Sequence, residues 1–150
     1  MSGSYFDYTQ FKEYVNKLGI ATSDFRLWLK QFLLQEAQRV VKNGKPRTPV
    51  DTGYLRNSWY IGSQKIIQDI SNGKAVINTN KSDIASIKVI GNVLQVEIGL
   101  SADYASYIEY GHRSYQGKYM LKISIDEVQR ALPARFDKQF RSWLKSKGVV

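Results

Sequence analysis

The chain has 150 residues, 43% of them hydrophobic and 23% charged, with 22 Lys and Arg against 13 Asp and Glu and a net charge of +9. That length suits one domain, 1–150, able to bury a sizeable core. The absence of cysteine excludes disulfides and thiolate-bound metal. No apolar run approaches the ~20 residues that a bilayer-spanning helix needs, so no membrane role is expected.

The charge is uneven. Residues 1–50 carry 8 basic and 4 acidic side chains, 51–117 carry 6 of each, and 118–150 carry 8 basic and 3 acidic. A neutral middle thus sits between basic flanks, which suit nucleic acid, an acidic protein surface or simply solvated helix faces. Met1-Ser-Gly-Ser-Tyr-Phe-Asp7 has neither a basic segment nor an apolar one, so no signal peptide is expected.

Two helices are expected first. Phe11, Tyr14, Val15 and Leu18 recur at helical spacing, and Gly19 is a natural stop. Thr22-Ser23-Asp24 offers an N-cap. Behind it Phe25, Trp28, Leu29, Phe32, Leu33, Val40 and Val41 form a broad stripe that runs to Gly44, where Gly and Pro punctuation ends it. Leu55 and Trp59, four residues apart, suggest a short helix, with Asp51 or Thr48 as its N-cap and Asp51 preferred.

From Tyr60 to Leu100 the texture is that of strands. Ile66, Ile70, Val76, Ile84, Ile87, Val89, Val93, Val96 and Ile98 are β-branched, with turn signals at Ser71-Asn-Gly and Gly91-Asn92. Residues 86–90 and 93–99 read as a hairpin. In its second strand Leu94, Val96 and Ile98 alternate with Gln95 and Glu97. Three or four antiparallel strands are expected. Ser101 to Gly111 reads as a short helix or turn, with Tyr104, Tyr107 and Ile108 on one face. Leu121, Ile125, Val128, Leu132, Phe136, Phe140 and Trp143 then mark a final helix, kinked or split at Pro133. The fold class is α+β: N-terminal helices, a small antiparallel sheet and a long C-terminal helix.

Three features invite a chemical reading. Asp51-Thr52-Gly53 is the active-site triplet of aspartic proteases, and one triplet suffices if two chains pair. Its largely helical surroundings, and Tyr54 after the Gly, favour a capping Asp51 instead. Glu109 and the lone His112 could form an acid–base pair. The bland reading is that His112 is a polar residue just past a helix end. No nucleophile motif, zinc-ligand set or phosphate loop accompanies them, so no catalytic residue, cofactor or metal is expected. The tyrosines Tyr104, Tyr107, Tyr110, Tyr115 and Tyr119 suit a protein interface, core packing or base stacking, in that order.

Two phrases together carry a resemblance: Thr48-Pro-Val-Asp-Thr-Gly-Tyr-Leu-Arg-Asn-Ser-Trp59, and Asp103-Tyr-Ala-Ser-Tyr-Ile-Glu-Tyr-Gly-His112. In this order the pair resembles the tail-completion, or head–tail joining, family of long-tailed bacteriophages and prophages, whose members are also called neck or minor tail proteins. The resemblance implies a virion structural protein without enzymatic activity, assembled in the host cytoplasm. It implies a ring matching the tail's six-fold symmetry. The implied partners are further copies of the chain, the tail tube or tail-terminator protein, a head-completion or connector protein, and passing DNA. The signature positions carried over are Asp51, Thr52, Gly53, Leu55, Arg56, Ser58, Tyr104, Ala105, Tyr107, Glu109, Gly111 and His112; the resemblance leaves open which serve folding and which contact. An Arg56–Glu109 ion pair would link the two phrases. A basic nucleic-acid-binding module is the alternative function.

Overall fold

The computed structural model describes residues 2–49, 54–62, 64–65 and 87–149. The expected strand residues Ile66, Ile70, Val76 and Ile84, and the Ser71-Asn-Gly turn, lie outside that set.

The chain opens on a strand ahead of the first helix. Strand β1, Ser2–Asp7, pairs antiparallel with β5, Val93–Leu100, from Ser2 opposite Ile98 to Asp7 opposite Val93. Along the other edge of β5 run two shorter strands. β4, Lys88–Ile90, pairs near its start and β2, Trp59–Ile61, near its end. β3, Gln64–Lys65, extends the sheet beyond β2. Among the described residues the sheet has five strands, in the order β1-β5-β2-β3 with β4 on β5, where the sequence patterning gives three or four. The added strand is β1, which contains Gly and small polar residues and shows no alternation of its own.

The hairpin β4–β5 turns at Gly91, whose φ of 61° favours glycine. Leu94, Val96 and Ile98 of β5 and Trp59 and Ile61 of β2 point inward and are buried, while Gln95 and Glu97 face outward. On the outer side the Tyr60 hydroxyl donates to Glu97 Oε1 at 2.9 Å. Burial first, then this bond and the carboxylate charge, pushes the Tyr60 phenol up to about 12.

Helix α1, Thr9–Lys17, starts after an Asx-type turn in which Asp7 Oδ1 accepts the Thr9 N–H (3.0 Å) and hydroxyl (2.7 Å). The hydroxyl bond and then the backbone bond hold the Asp7 carboxyl below its usual range. Gly19, at φ 81°, closes the helix. Helix α2 spans Thr22–Gly44 with Ala21 at its N-cap and no side-chain cap. Thr22 lies inside the helix and donates its hydroxyl to Asn16 Oδ1 at 3.0 Å, so the cap expected from Thr22-Ser23-Asp24 is not formed. α2 packs against the inner face of the sheet and against the C-terminal helix α4, Met120–Ser146.

α4 is one helix across Pro133. Pro133 has no N–H to give the Gln129 carbonyl. One carbonyl earlier, Val128 is taken by the Arg135 guanidinium at 3.0 Å. Arg135 also forks onto Glu36 of α2, which is 3% exposed and is shared with Arg39 at 3.1 Å. Between α1, α2 and α4 lies an aromatic layer. Phe11 meets Phe136 at 4.8 Å, Trp28 stacks on Trp143 at 5.4 Å, and Phe32 meets Phe136 edge-on at 5.4 Å.

Candidate functional site: the junction of the two phrases

The site grows from a glycine. Gly44 ends α2, and a methyl group there would sit 2.2 Å from the Trp59 ring, so its bare backbone makes room for the indole. The Trp59 indole N–H donates to Thr48 Oγ1 at 2.9 Å, and the Thr48 hydroxyl donates to the Gly44 carbonyl at 2.9 Å. This buried relay spans a 3₁₀ turn at Lys45–Arg47 and fixes where the first phrase enters the sheet.

Asp51, Thr52 and Gly53 lie outside the described residues, and so does the expected cap at Asp51. The short helix expected up to Trp59 is a 3₁₀ turn, Arg56–Ser58, that runs directly into β2. Leu55 and Trp59 are both buried. A 3₁₀ turn followed by a strand satisfies their spacing as well as a helix would, and pairing of Trp59 with Leu100 selects the strand. Ser58 closes the turn, its hydroxyl donating to the Leu55 carbonyl at 2.7 Å.

The second phrase meets the first here. The Ser58 carbonyl accepts the Ser101 N–H at 2.9 Å and its hydroxyl at 3.3 Å. The Tyr54 and Tyr104 rings stack, with centroids 6.1 Å apart. Helix α3, Ala105–Tyr110, then presents Ala105 and Glu109 to the interior. It stops at Gly111, whose φ of 89° favours glycine, and Gly111–His112 (β6) forms a small hairpin with Tyr115–Gln116 (β7). His112 thus sits in a strand and is exposed, its ring 4.5 Å from that of Tyr107.

Glu109 does what the sequence did not disclose. Only 5% exposed, it places Oε1 and Oε2 each 2.9 Å from backbone N–H groups, those of Leu121 and Lys122. These are among the free donors of the first turn of α4, where the helix dipole also favours a carboxylate. Its own carbonyl accepts the Tyr119 N–H at 3.0 Å. Gly117 permits this approach, since a methyl group there would lie 2.6 Å from the Glu109 carbonyl oxygen. Tyr119 takes the left-handed conformation, φ 47°, as it turns into α4. The Arg56–Glu109 ion pair is not among the ion pairs of the described residues. Both Glu109 oxygens accept backbone N–H groups of α4. One signal could have found this: α4 begins without a Ser, Thr, Asp or Asn in Gly117-Lys118-Tyr119, so its cap had to come from elsewhere.

The tyrosines face outward. Tyr107 and Tyr110 are 55% and 57% exposed, with Tyr54, Tyr104 and Tyr119 also exposed. The core-packing reading therefore fails for Tyr104, Tyr107, Tyr110 and Tyr119: the buried face of α3 is that of Ala105 and Glu109. Tyr110 and Tyr119 meet edge-on at 6.5 Å, and Tyr115 pairs through its backbone with His112. Arg113 and Lys118 border this surface in sequence, both exposed.

A family model, described as bacteriophage HK97 gp10-like tail component, matches residues 9–111. The chain belongs to that HK97-gp10-like family. It is the tail family that the two phrases resemble. The family's assignment makes the chain a structural component of a phage tail and places it in the virion. The HK97-gp10-like segment begins at α1 and ends where α3 gives way to β6, so it holds the first phrase and the second as far as Gly111, Glu109 included, while His112, β1 and α4 lie beyond it. No curated protein and no solved structure gives a match. Among the described residues no helix is long and apolar enough to cross a membrane.

Proposed function

We propose that this tail component is a non-enzymatic joining protein that forms a ring at the head-proximal end of the tail and links tail to head. The observation that carries the reading is the exposed tyrosine surface of Tyr54, Tyr104, Tyr107, Tyr110 and Tyr119 on the signature junction. Tyr combines large contact area with a polar tip, which suits a protein interface better than a solvated surface.

A ring needs two different patches on each copy. The tyrosine surface is one. The second is β4, an edge of the sheet among the described residues, where Val89 and Ile90 are exposed apolar residues. The near-neutral stretch 51–117 lets copies approach without long-range repulsion. Six copies would match the tail's symmetry, with the tail tube or terminator protein on one side and a head-completion or connector protein on the other.

The test is complementation of a phage lacking the gene with a Tyr107→Ala/Tyr110→Ala double variant. Both side chains are exposed, so the fold should survive while joined particles are lost. Normal yields of joined particles from that variant would overturn the reading.

A further inference from the structure

Between α1 and α4 runs an open groove of about 880 Å³. Phe11 and Tyr14 of α1 form one wall, and Leu132, Phe136, Phe140 and Leu144 of α4 form the other. The two walls touch at the floor, where Phe11 meets Phe140 at 5.7 Å, and Tyr14 at the lip is 48% exposed. The α4 wall lies outside the segment matched by the family.

The charge on the rim is mainly basic: Arg141 and Lys145 line the groove, with Asp137 the one acid among its lining residues. Arg130 and Lys138 lie outside the lining but recur with Arg141 and Lys145 at near whole-turn steps along α4, and all four are exposed. Among the described residues only Arg141 has an acidic partner, Asp137 at 3.1 Å. Both are well exposed, so that pair holds the charge only weakly.

We propose that this groove docks an acidic amphipathic helix from a different protein of the particle. Its apolar side chains, at i, i+3, i+4 and i+7, would lie on the Phe and Leu floor, and its carboxylates would meet Lys138, Arg141 and Lys145. Leu132 to Lys145 spans roughly 20 Å, the length of about four helical turns. Among the described residues a second copy of this chain offers no acidic helix of that length: α1, α2 and α4 each carry net positive charge, so docking any of them would bring like charge to the rim. The partner's setting rests on the tail-component reading; the groove and its charge do not.

The test uses the full chain and a fluorescein-labelled synthetic helix with Leu at the four anchor spacings and Glu elsewhere. Its controls are the same peptide with Lys for Glu and a scrambled Leu/Glu order. Anisotropy should show saturable binding of the acidic peptide alone. Affinity should fall about tenfold or more in Tyr14→Ala and in Lys138→Glu/Lys145→Glu, as expected for a lost anchor and for charge reversal. Equal binding of the Lys or scrambled peptide, or unchanged affinity in both variants, overturns the proposal. So does sedimentation showing a dimer of the free chain that Tyr14→Ala dissolves, since a second copy would then fill the groove. Peptide failure with normal head–tail joining would sink the groove alone. Lost joining in the Tyr107→Ala/Tyr110→Ala variant with intact peptide binding leaves the two proposals independent.

Discussion

Glu109 holds the first turn of the C-terminal helix from twelve residues away: its two oxygens accept the Leu121 and Lys122 N–H groups, each at 2.9 Å. A residue of the second phrase thereby fastens α4, an element outside the family-matched segment. The carboxylate is buried, so its loss would strand two backbone donors away from water.

Glu109→Ala should cost about 2 kcal/mol, the upper range for a lost cap. For a chain of this size that is a fall of roughly 4–8 °C in melting temperature. Glu109→Gln should fall between, because the amide keeps one acceptor and loses the charge. Thermal unfolding followed by circular dichroism measures both. An unchanged midpoint in Glu109→Ala would contradict the capping role.

Gly44→Ala should destabilise despite the better helix propensity of Ala. The gain from propensity is at most about 1 kcal/mol, while overpacking against the Trp59 ring costs about 1–3 kcal/mol. Thr48→Val removes the acceptor of the indole N–H and should cost about 1–3 kcal/mol. Urea midpoints check both, and the two losses should be non-additive because they share Trp59.

Arg135→Ala should cost about 3 kcal/mol, because it leaves the buried Glu36 carboxylate with Arg39 alone. The double variant Glu36→Leu/Arg135→Met should recover most of that loss, since a buried ion pair replaced by apolar residues is often neutral. A double-mutant cycle on urea unfolding reads the coupling.

Tyr60 should titrate late. Its folded value of about 12 lies above the ordinary phenol value near 10. The neutral phenol is favoured in the fold, so its contribution to stability is complete below about pH 10 and is lost as pH rises through about 12. Absorbance titration should show a late transition that disappears in Tyr60→Phe. Glu97→Gln should move it earlier without restoring the ordinary value, because burial is the larger cause.

Much of this was legible along the chain where the signal is local. The α2 stripe from Phe25 to Val41 and the stop at Gly44 need only helical spacing and a glycine, and the alternation from Leu94 to Ile98 needs only the strand period. β1 was illegible because Ser2–Asp7 has no pattern of its own; its state comes from pairing with a strand some ninety residues later. Leu55 and Trp59 misled because one spacing fits two backbones, and the choice is made by Leu100. At the site, the tyrosine cluster and both phrases were visible. The outward turn of Tyr104 and Tyr107 was not, because the buried face of α3 carries a glutamate. A glutamate looks solvent-facing until the helix end it serves is known.

As the proposed joint between tail and head, this chain belongs at the boundary between them. Cryo-electron microscopy of mature particles tests it most directly. The expected result is a closed ring of this chain at the capsid–tail boundary, with Tyr107 and Tyr110 in contact with a neighbouring subunit. Particles with head and tail joined and no density for the chain at that boundary would contradict it.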